Sequence, residues 1–576
     1  MGTISDKLMR IINTKEDIRQ ALISKGYDVP TSIPFKEYAK MISYLPCRVD
    51  SFPDIEGIVA RYSALGLTNE QMAANPVWVD KTGNGHDLQM KNFAWKEGSG
   101  ISDIYPGALV FDGVDDYGAC DNFPVLTKEK GYTVVALRQW ISMGEGISGL
   151  VSNVKNWFND GAFVLEYNSN NATNKFVNRP VSFGNVNIEM DLPNNFTYQT
   201  SKSYKGVPIT TGSFKGTNSL FVGKLNNIIG NCSNVAIWEL VFLDHDATEE
   251  ELTKIKDYFV KTYPWLFPDQ AWTVVGKTNE DEDRATIANI TGNGNDLVLS
   301  NFGFAEGSGY GLYGQNYISY AITNRAVYTK TNSSIHVTKS ITAGVNFTES
   351  ARDVTIPSYR IKVTGIQSGQ EMIYRGSNNT FLTNIPSDGI YVLPAVENGS
   401  NLGFQFISYT GDCDITIEQI PEYEGYLVID GVDDIASSNT IIYEVDFTFI
   451  GEWKFIQKDD TVAGINSSSH LYIQNRYNRG ATVMINSTFE NKKNITDYMT
   501  FKAITSKGKG YDENWNEVDL LYGDGNKGTS GVNIGGQGGT EFCHMIFKNM
   551  ALYMNKVFTK DECIKAYNYL QTLKAK

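Results

Sequence analysis

The chain has 576 residues, and its 65 Asp and Glu residues outnumber its 50 Lys and Arg residues, giving a net charge of −15. Length alone predicts roughly four domains, and the surplus of negative charge argues against a nucleic-acid partner, because neutralising phosphates needs surplus Lys and Arg. No run approaches the ~18 apolar residues of a membrane span, so none is expected.

The first segment, residues 1–50, is predicted to be helical, because its apolar residues recur at helical spacing. Residues 1–46 carry seven Lys and Arg against five Asp and Glu, a charge of +2, which leaves −17 for the rest. A segment this short buries little core alone. We therefore expect it to attach to a partner, or to a copy of itself in a dimer or trimer, through Ile4, Leu8, Ile11, Ile18, Leu22, Phe35 and Tyr38.

Two stretches of the chain then occur twice. Residues 82–100 (TGNGHDLQMKNFAWKEGSG) match residues 291–309 (TGNGNDLVLSNFGFAEGSG) at an offset of 209, and GALVFDGVDDYGA (107–119) matches GYLVIDGVDDIAS (425–437) at an offset of 318. The 109-residue difference predicts an insertion in the second copy. A third pair, 234–259 and 549–570, predicts that each copy closes with a strand and a short helix.

Between these landmarks, short runs of alternating apolar residues separated by turn residues predict β-sandwiches. We predict a helical segment at 1–50, one sandwich at 51–267, a second made of 268–316 and 424–576, and a small inserted β-sandwich at 317–423. The fold class is therefore mainly β, with tandem sandwiches behind a short helical segment.

The order of these motifs resembles the concanavalin A-like jelly-roll family of laminin-G and pentraxin type. The resemblance is carried by 82–88, 109–117, 221–223 and 236–252, and in the second copy by 291–297, 427–435, 533–535 and 551–563. The N-terminal stretch resembles the attachment segments of bacteriophage structural proteins. Together these resemblances imply a virion fibre of the head or tail, with crAss-like phages among the plausible sources.

The repeated DGVDD motifs leave two interpretations open. Asp112, Asp115 and Asp116, and in the second copy Asp430, Asp433 and Asp434, are clustered oxygen ligands of the kind that calcium takes. Asp and Gly are equally the residues of a tight turn between two strands. The regular D-x-D-x-D spacing of a dedicated calcium loop is missing, so the turn is favoured and no metal site is predicted.

Catalysis, zinc and cofactors are not expected. Glycoside hydrolysis needs two carboxylates about 5–10 Å apart, and the nearest candidate, Glu189-Met190-Asp191, has no counterpart in the second copy. The five histidines show no zinc-binding spacing, and the Gly-rich stretch 523–539 lacks the order of a phosphate-binding loop. Trp157 and Trp515, in polar contexts, are the candidate sugar-contacting aromatics.

These observations favour a non-enzymatic structural protein on the virion surface, made in the cytoplasm of a bacterial host. Its expected partners are capsid or tail proteins through the N-terminal segment, further copies of itself, and host surface glycans. A carbohydrate-binding module protein outside a virion is the alternative, and a polysaccharide depolymerase is a weaker one.

Overall fold

The computed structural model of the chain is mainly β, built of antiparallel sheets with few helices. It describes residues 14–16, 18–19, 52–127, 129–142, 147–153, 164–168, 175–178, 186–189, 196–204, 207–208, 217–224, 232–305, 307–311, 318, 321–331, 333–350, 354–376, 381–399, 401–456, 462–467, 471–476, 480–485, 493–495, 500–520, 522, 527–537 and 541–575. The predicted fold class of tandem β-sandwiches is confirmed.

The first sandwich, lobe 1, consists of strands β1–β16 in two eight-stranded sheets. Its strands are β1 (Ile58–Ser63), β2 (Val77–Trp78), β3 (Leu88–Lys91), β4 (Gly100–Ser102), β5 (Ala108–Asp112), β6 (Tyr117–Cys120), β7 (Thr133–Ser142), β8 (Ile147–Ser152), β9 (Val164–Asn168), β10 (Lys175–Asn178), β11 (Val186–Glu189), β12 (Phe196–Thr200), β13 (Ser203–Tyr204), β14 (Val207–Pro208), β15 (Leu220–Val222) and β16 (Asn234–Leu243). Helix α1 (Asn69–Ala74) follows β1.

The second sandwich, lobe 2, begins with β17 (Gln270–Thr273), β18 (Thr286–Ile287), β19 (Leu297–Ser300) and β20 (Gly309–Tyr310). The inserted sandwich follows, with β21 (Ala321–Ile322), β22 (Ala326–Lys330), β23 (Ser334–Ser340), β24 (Thr348–Glu349), β25 (Val354–Ile356), β26 (Tyr359–Thr364), β27 (Met372–Arg375), β28 (Phe381–Ile385), β29 (Gly389–Leu393), β30 (Val396–Gly399), β31 (Gly403–Phe406) and β32 (Gly411–Ile420).

The remaining strands of lobe 2 follow the inserted sandwich in the chain. They are β33 (Leu427–Asp430), β34 (Ile435–Ser437), β35 (Ile441–Tyr443), β36 (Phe447–Phe455), β37 (Val462–Ser467), β38 (Leu471–Arg476), β39 (Gly480–Ile485), β40 (Lys493–Ile495), β41 (Phe501–Thr505), β42 (Lys509–Asp512), β43 (Glu517–Asp519), β44 (Gly528–Ser530), β45 (Asn533–Ile534), β46 (Gly536–Gln537), β47 (Glu541–Phe542) and β48 (His544–Met554). Two longer helices are α2 (Glu249–Thr262) and α3 (Lys560–Gln571).

The two lobes have the same sheet topology. In lobe 1 the strand orders are β14-β13-β12-β7-β16-β5-β4, with β1 also paired to β16, and β11-β10-β9-β8-β15-β6-β3-β2. In lobe 2 they are β43-β42-β41-β36-β48-β33-β20, with β17 also paired to β48, and β40-β39-β38-β37-β45-β34-β19-β18. Every strand of one order has its counterpart in the other, so the sequence repeat corresponds to a structural repeat.

Each sandwich encloses its own apolar core. The central strands β16 and β48 are buried along nearly their whole length, and strands covered on both faces have continuous apolar runs instead of alternation. In lobe 2, helix α3 covers the outer face by packing against β36, β41 and β48. In the inserted sandwich, β26 (YRIKVT) keeps strict alternation, with Tyr359, Ile361 and Val363 buried.

Helix α2 and residues 14–16, 18–19 and 52–56 group into one compact unit, and the other described residues into a second. In the first unit the rings of Phe52 and Tyr258 meet edge to face at 4.9 Å. No described helix is long and apolar enough to span a membrane. The five cysteines of the described chain are free thiols. The domain boundaries at 50, 267, 316 and 423 stay a prediction.

Candidate functional site

The two DGVDD turns, residues 112–116 and 430–434, are built by the same hydrogen bonds. Asp112 Oδ1 accepts the N–H of Val114 at 2.7 Å and of Asp115 at 3.3 Å. Asp116 Oδ2 accepts the N–H of Asp112 at 3.1 Å. In lobe 2, Asp430 Oδ1 and Asp434 Oδ2 accept the equivalent bonds at 2.8, 3.4 and 3.0 Å. These contacts are those of an Asp-stabilised turn.

An asparagine of a neighbouring loop stabilises each turn by a hydrogen bond. Asn92, at φ 69°, donates from Nδ2 to the Asp115 carbonyl at 2.9 Å, and Asn301, also at φ 69°, donates to the Asp433 carbonyl at 2.9 Å. A glycine follows the adjoining strand in each copy, Gly223 at φ 76° and Gly535 at φ 89°, because a Cβ there would overlap the Phe111 ring or lie 2.6 Å from the Ile429 side chain. The repeated V-G and I-G steps are therefore packing requirements of the turns.

The last Asp of each turn is buried, and its acidity changes accordingly. Burial raises the pKa of Asp116 to about 6, although the hydrogen bond from the Asp112 N–H opposes the shift. Burial likewise raises the pKa of Asp434 to about 6, against the hydrogen bonds from the Asp430 N–H and from Ser308, whose Oγ lies 3.0 Å from Asp434 Oδ1. Both carboxyls are therefore partly protonated in mildly acidic solution.

One carboxylate oxygen from each Asp of a turn lies within 4.8 Å of the others, in both lobes. Three carboxylates are a donor set that suits calcium, which takes 6–8 oxygen ligands. One oxygen of the first Asp and one of the last already accept backbone N–H bonds of the turn. The described contacts thus account for the repeated motif as a turn.

Trp515 lies in a rigidly held turn between β42 and β43, residues 512–516. Asp512 Oδ1 accepts the N–H of Asn514 at 2.8 Å and of Asn516 at 2.7 Å, and Asp512 Oδ2 accepts Asn516 Nδ2 at 3.0 Å. These bonds outweigh the burial of Asp512 and lower its pKa. Trp515 itself has φ 62° and donates its N–H to the Asp512 carbonyl at 3.0 Å. These bonds therefore fix the backbone from which the indole projects.

The Trp515 indole is half-buried within a group of aromatic and basic side chains. Its ring meets the ring of Tyr567, on α3, edge to face at 5.6 Å, and the ring of Tyr511 at 6.3 Å. Lys502 Nζ lies 5.5 Å from the Trp515 ring centre and 4.9 Å from that of Tyr567, both within the range of a cation–π contact. We call Trp515, Tyr567, Tyr511 and Lys502 the Trp515 cluster.

Tyr567 links this cluster to a half-buried carboxylate, Glu452. Glu452 Oε2 accepts the Tyr567 hydroxyl at 3.0 Å and Lys548 Nζ at 3.1 Å, and Glu452 Oε1 accepts the Tyr426 hydroxyl. Burial disfavours the charged form, but the Tyr426 hydrogen bond and the Lys548 charge outweigh it and lower the pKa of Glu452. Burial and the Glu452 charge raise the pKa of Tyr567. The anion thus holds the ring of Tyr567 in place beside Trp515.

The structure places only some of the residues predicted from sequence. Trp515 is in the cluster just described, and Ile18 is half-buried in a helical stretch at 14–16 and 18–19. The sugar-contact candidate Trp157 lies outside the described residues, as do the remaining predicted attachment residues, Ile4, Leu8, Ile11, Leu22, Phe35 and Tyr38. Glu189 ends the edge strand β11. The predicted roles of all these residues stay predictions.

The partners of Trp515 were not identified from the sequence. Lys502, Glu452 and Tyr567 stand on β41, β36 and α3, so packing brings them together over separations of up to 115 residues. One signal was present: residues 509–519 form a long hairpin, whereas the counterpart strands β13 and β14 of lobe 1 are two residues each. The strand pair itself is common to both copies, and its described strands are longer in lobe 2.

Comparison with known proteins gives no family for this chain. No protein-family model matches it, and no curated protein matches it. Among solved structures, it is similar to a Trypanosoma rangeli sialidase in complex with 2,3-difluorosialic acid, at 13% identity over 36% of this chain and 34% of that chain, with a TM-score of 0.25. The chain therefore spans about a third of the sialidase it matches.

It is also similar to the botulinum neurotoxin serotype G binding domain, at 10% identity over 63% of this chain and 92% of that one, with a TM-score of 0.22. A botulinum neurotoxin type C structure, whose subject is cell entry through two ganglioside molecules, matches at 10% identity over 61% and 98%, with a TM-score of 0.24. Identities and scores this low carry no conclusion about the function of this chain.

Proposed function

We propose that this chain is a non-enzymatic structural protein of a bacteriophage virion, a head or tail fibre on the particle surface. Residues 1–50 attach it to capsid or tail proteins, and the sandwiches face outwards and bind host glycans. The resemblance of the N-terminal stretch to phage attachment segments supports the first part. The second part rests on one observation, the half-buried Trp515 indole held by its own turn beside Tyr567 and Lys502.

An indole in this setting is suited to sugars, because the apolar face of a pyranose stacks on an aromatic ring whose position is already set. Asn514 and Asn516, both exposed, offer amide groups next to the ring for sugar hydroxyls. Five carboxylates and three ammonium groups lie near the cluster, and this surplus of negative charge favours neutral over acidic sugars. The carboxylates are those of Asp512, Glu513, Glu517, Asp519 and Glu452, and the ammonium groups are those of Lys502, Lys509 and Lys548.

The test is the binding of the purified full chain to an array of bacterial and mucin glycans. Trp515→Ala is expected to weaken binding to the recognised glycans about tenfold, equivalent to ~1.4 kcal/mol. Trp95→Ala is the matched control, since Trp95 is also half-buried, also has positive φ (51°) and also contacts a ring, that of Phe93. Equal binding by the wild type and both variants would refute glycan recognition at Trp515.

Attachment is tested on particles. Deleting residues 1–50 is expected to remove the protein from purified virions while its expression continues.

Co-sedimentation of the wild type with particles at a fixed stoichiometry would distinguish a virion protein from a free carbohydrate-binding module. Release of reducing ends from host capsule, abolished by Glu189→Gln, would instead establish a depolymerase.

A further inference from the structure

Strand β29 of the inserted sandwich is an unprotected sheet edge. It ends the order β22-β23-β32-β26-β29, and among the described residues it pairs only with β26. Its sequence is GIYVL, and Ile390 and Val392 expose 63% and 60% of their surface. The strand contains no charge, no proline and no irregularity of register from Gly389 to Leu393. Edges of this kind are templates for pairing with another strand.

The strands that end the orders of the other large sheets each carry a protective feature, and the side strands β1 and β17 are largely buried. Strand β43 contains two acids, β11 and β40 contain Glu189 and Lys493, and β14 contains a proline. Strands β2, β4, β18 and β20 have only two or three residues. At the opposite end of the same sheet, β22 includes Lys330 and changes register at Val327. Strand β29 thus differs from the chain's usual treatment of edges.

We propose that β29 pairs with β29 of a second copy of this chain, antiparallel and about a two-fold axis at Tyr391. This register places Ile390 of each copy opposite Val392 of the other, so the four exposed aliphatic side chains form one continuous patch. Cross-strand pairs of β-branched residues are favourable. A two-fold contact requires a self-complementary surface, and the sequence Ile-Tyr-Val supplies one.

Charge does not oppose this pairing. The outward-facing Arg360 and Lys362 of β26 stand opposite Val392 and Ile390. In the paired sheet the order is β26-β29-β29-β26, so the basic side chains of the two copies are three strand spacings apart, ~14 Å. That separation exceeds the Debye length of ~8 Å at physiological ionic strength. Because β29 carries no charge, a copy of itself brings none to the contact.

The contact is small. Five residues a side bury well below the ~1,200 Å² of a stable interface, so free chains associate weakly. Chains held side by side on one particle would pair far more readily, because attachment raises their effective concentration. The proposal does not depend on glycan binding or on the identity of the particle.

The experiment is sedimentation equilibrium of the purified full chain from about 5 to 500 µM, a range suited to weak association. The mass is expected to rise with concentration, and amide exchange at residues 390–392 is expected to slow in parallel. Ile390→Lys and Val392→Lys should each abolish both effects. Ile442→Lys is the matched control, because Ile442 is 59% exposed on β35 of lobe 2, and it should leave both unchanged.

Far-UV circular dichroism and thermal unfolding of the three variants verify that each remains folded. A mass independent of concentration would overturn the proposal. Association that persists in Ile390→Lys and Val392→Lys would overturn it as well, since the contact would then lie elsewhere. Protection of β29 only after another virion protein is added would show that its partner is not a copy of this chain.

Discussion

Lobe 1 and lobe 2 show which features of this fold are required and which are additions. Their strand orders are equivalent throughout, and their two DGVDD turns are held by equivalent hydrogen bonds. In lobe 1, Asn69 exchanges hydrogen bonds with the backbone of Ile101 at 2.7 and 2.9 Å. In lobe 2, Asn279 does the same with Tyr310 at 2.8 and 3.0 Å. Hydrogen bonds that hold buried backbone are thus kept in both copies.

One buried position shows how a changed side chain keeps the same scaffold. Asp80 Oδ1 accepts the N–H groups of Arg61 and Thr82, each at 3.0 Å. Its counterpart Asn289 accepts those of Ala271 and Thr291 at 3.2 and 3.1 Å through its amide oxygen. Both side chains supply the acceptor oxygen that these two N–H groups require, while the second atom differs, since Asp80 Oδ2 accepts the His86 N–H and Asn289 Nδ2 donates to the Gly294 carbonyl.

The additions lie at the periphery of lobe 2. The inserted sandwich separates β20 from β33, and the long hairpin β42–β43 carries Trp515. Both interrupt or extend turns at the ends of strands, where extra chain leaves the core unchanged. The proposed glycan contact and the proposed contact between copies are therefore both specific to the second half of the chain.

The largest difference expected between the lobes concerns one buried ion pair. Glu239 accepts Arg61 Nε at 3.0 Å, Ser63 Oγ at 3.1 Å and Tyr263 Oη at 2.8 Å, and burial raises the pKa of Glu239. Its counterpart in lobe 2 is the neutral Asn549, which pairs with Thr273 as Glu239 pairs with Ser63.

Glu239→Ala should lower the free energy of unfolding by about 3–5 kcal/mol, because it leaves the Arg61 guanidinium buried without its counter-ion. Asn549→Ala should cost about 1 kcal/mol. Calorimetry and urea unfolding measure both, with Glu239→Gln as the variant that keeps the shape and an acceptor. Equal costs in the two lobes would show that Arg61 finds other partners.

A smaller effect is expected to be the same in both lobes. The pKa values of Asp116 and Asp434 are raised to about 6 in the folded state from an ordinary value near 3.8. Between these values the folded chain binds more protons than the unfolded chain, so stability rises as the pH falls from about 6 to about 4. Water screens the turns, and we expect about 1 kcal/mol per carboxyl.

Asp116→Asn and Asp434→Asn should each remove that carboxyl's share of the pH dependence, measured as the unfolding midpoint between pH 4 and 7. Asp115→Asn is the control, since Asp115 is exposed.

A calcium titration distinguishes a metal site from a turn without metal. If about 5 mM calcium, above the dissociation constants of weak sites, raises the midpoint at pH 7 and the double variant Asp112→Asn/Asp430→Asn abolishes the rise, the turns are metal sites as well.

The repeat was readable because it consists of local turn chemistry. The motifs T-G-N-G and D-G-V-D-D mark loops whose glycines and carboxylates contact residues close by in the chain, and each recurs at a fixed place in the topology. The alternation in β26 is typical of a strand with one buried face, which the structure shows. The sequence named Trp515 as a candidate sugar contact but not the residues around it, since a sequence shows which polar residues are present but not their neighbours.

Only the tertiary structure showed that Trp515, Lys502, Glu452 and Tyr567 lie together. Their strands are far apart in the chain but belong to one sheet, and α3, which carries Tyr567, packs on that sheet. It also showed that β29 is an edge, since the position of a strand within a sheet depends on non-local pairing. The sequence by itself determined the mainly β fold, the duplication and the insertion. Those properties follow from short-range patterns of apolar and turn residues, which need no partner to be recognised.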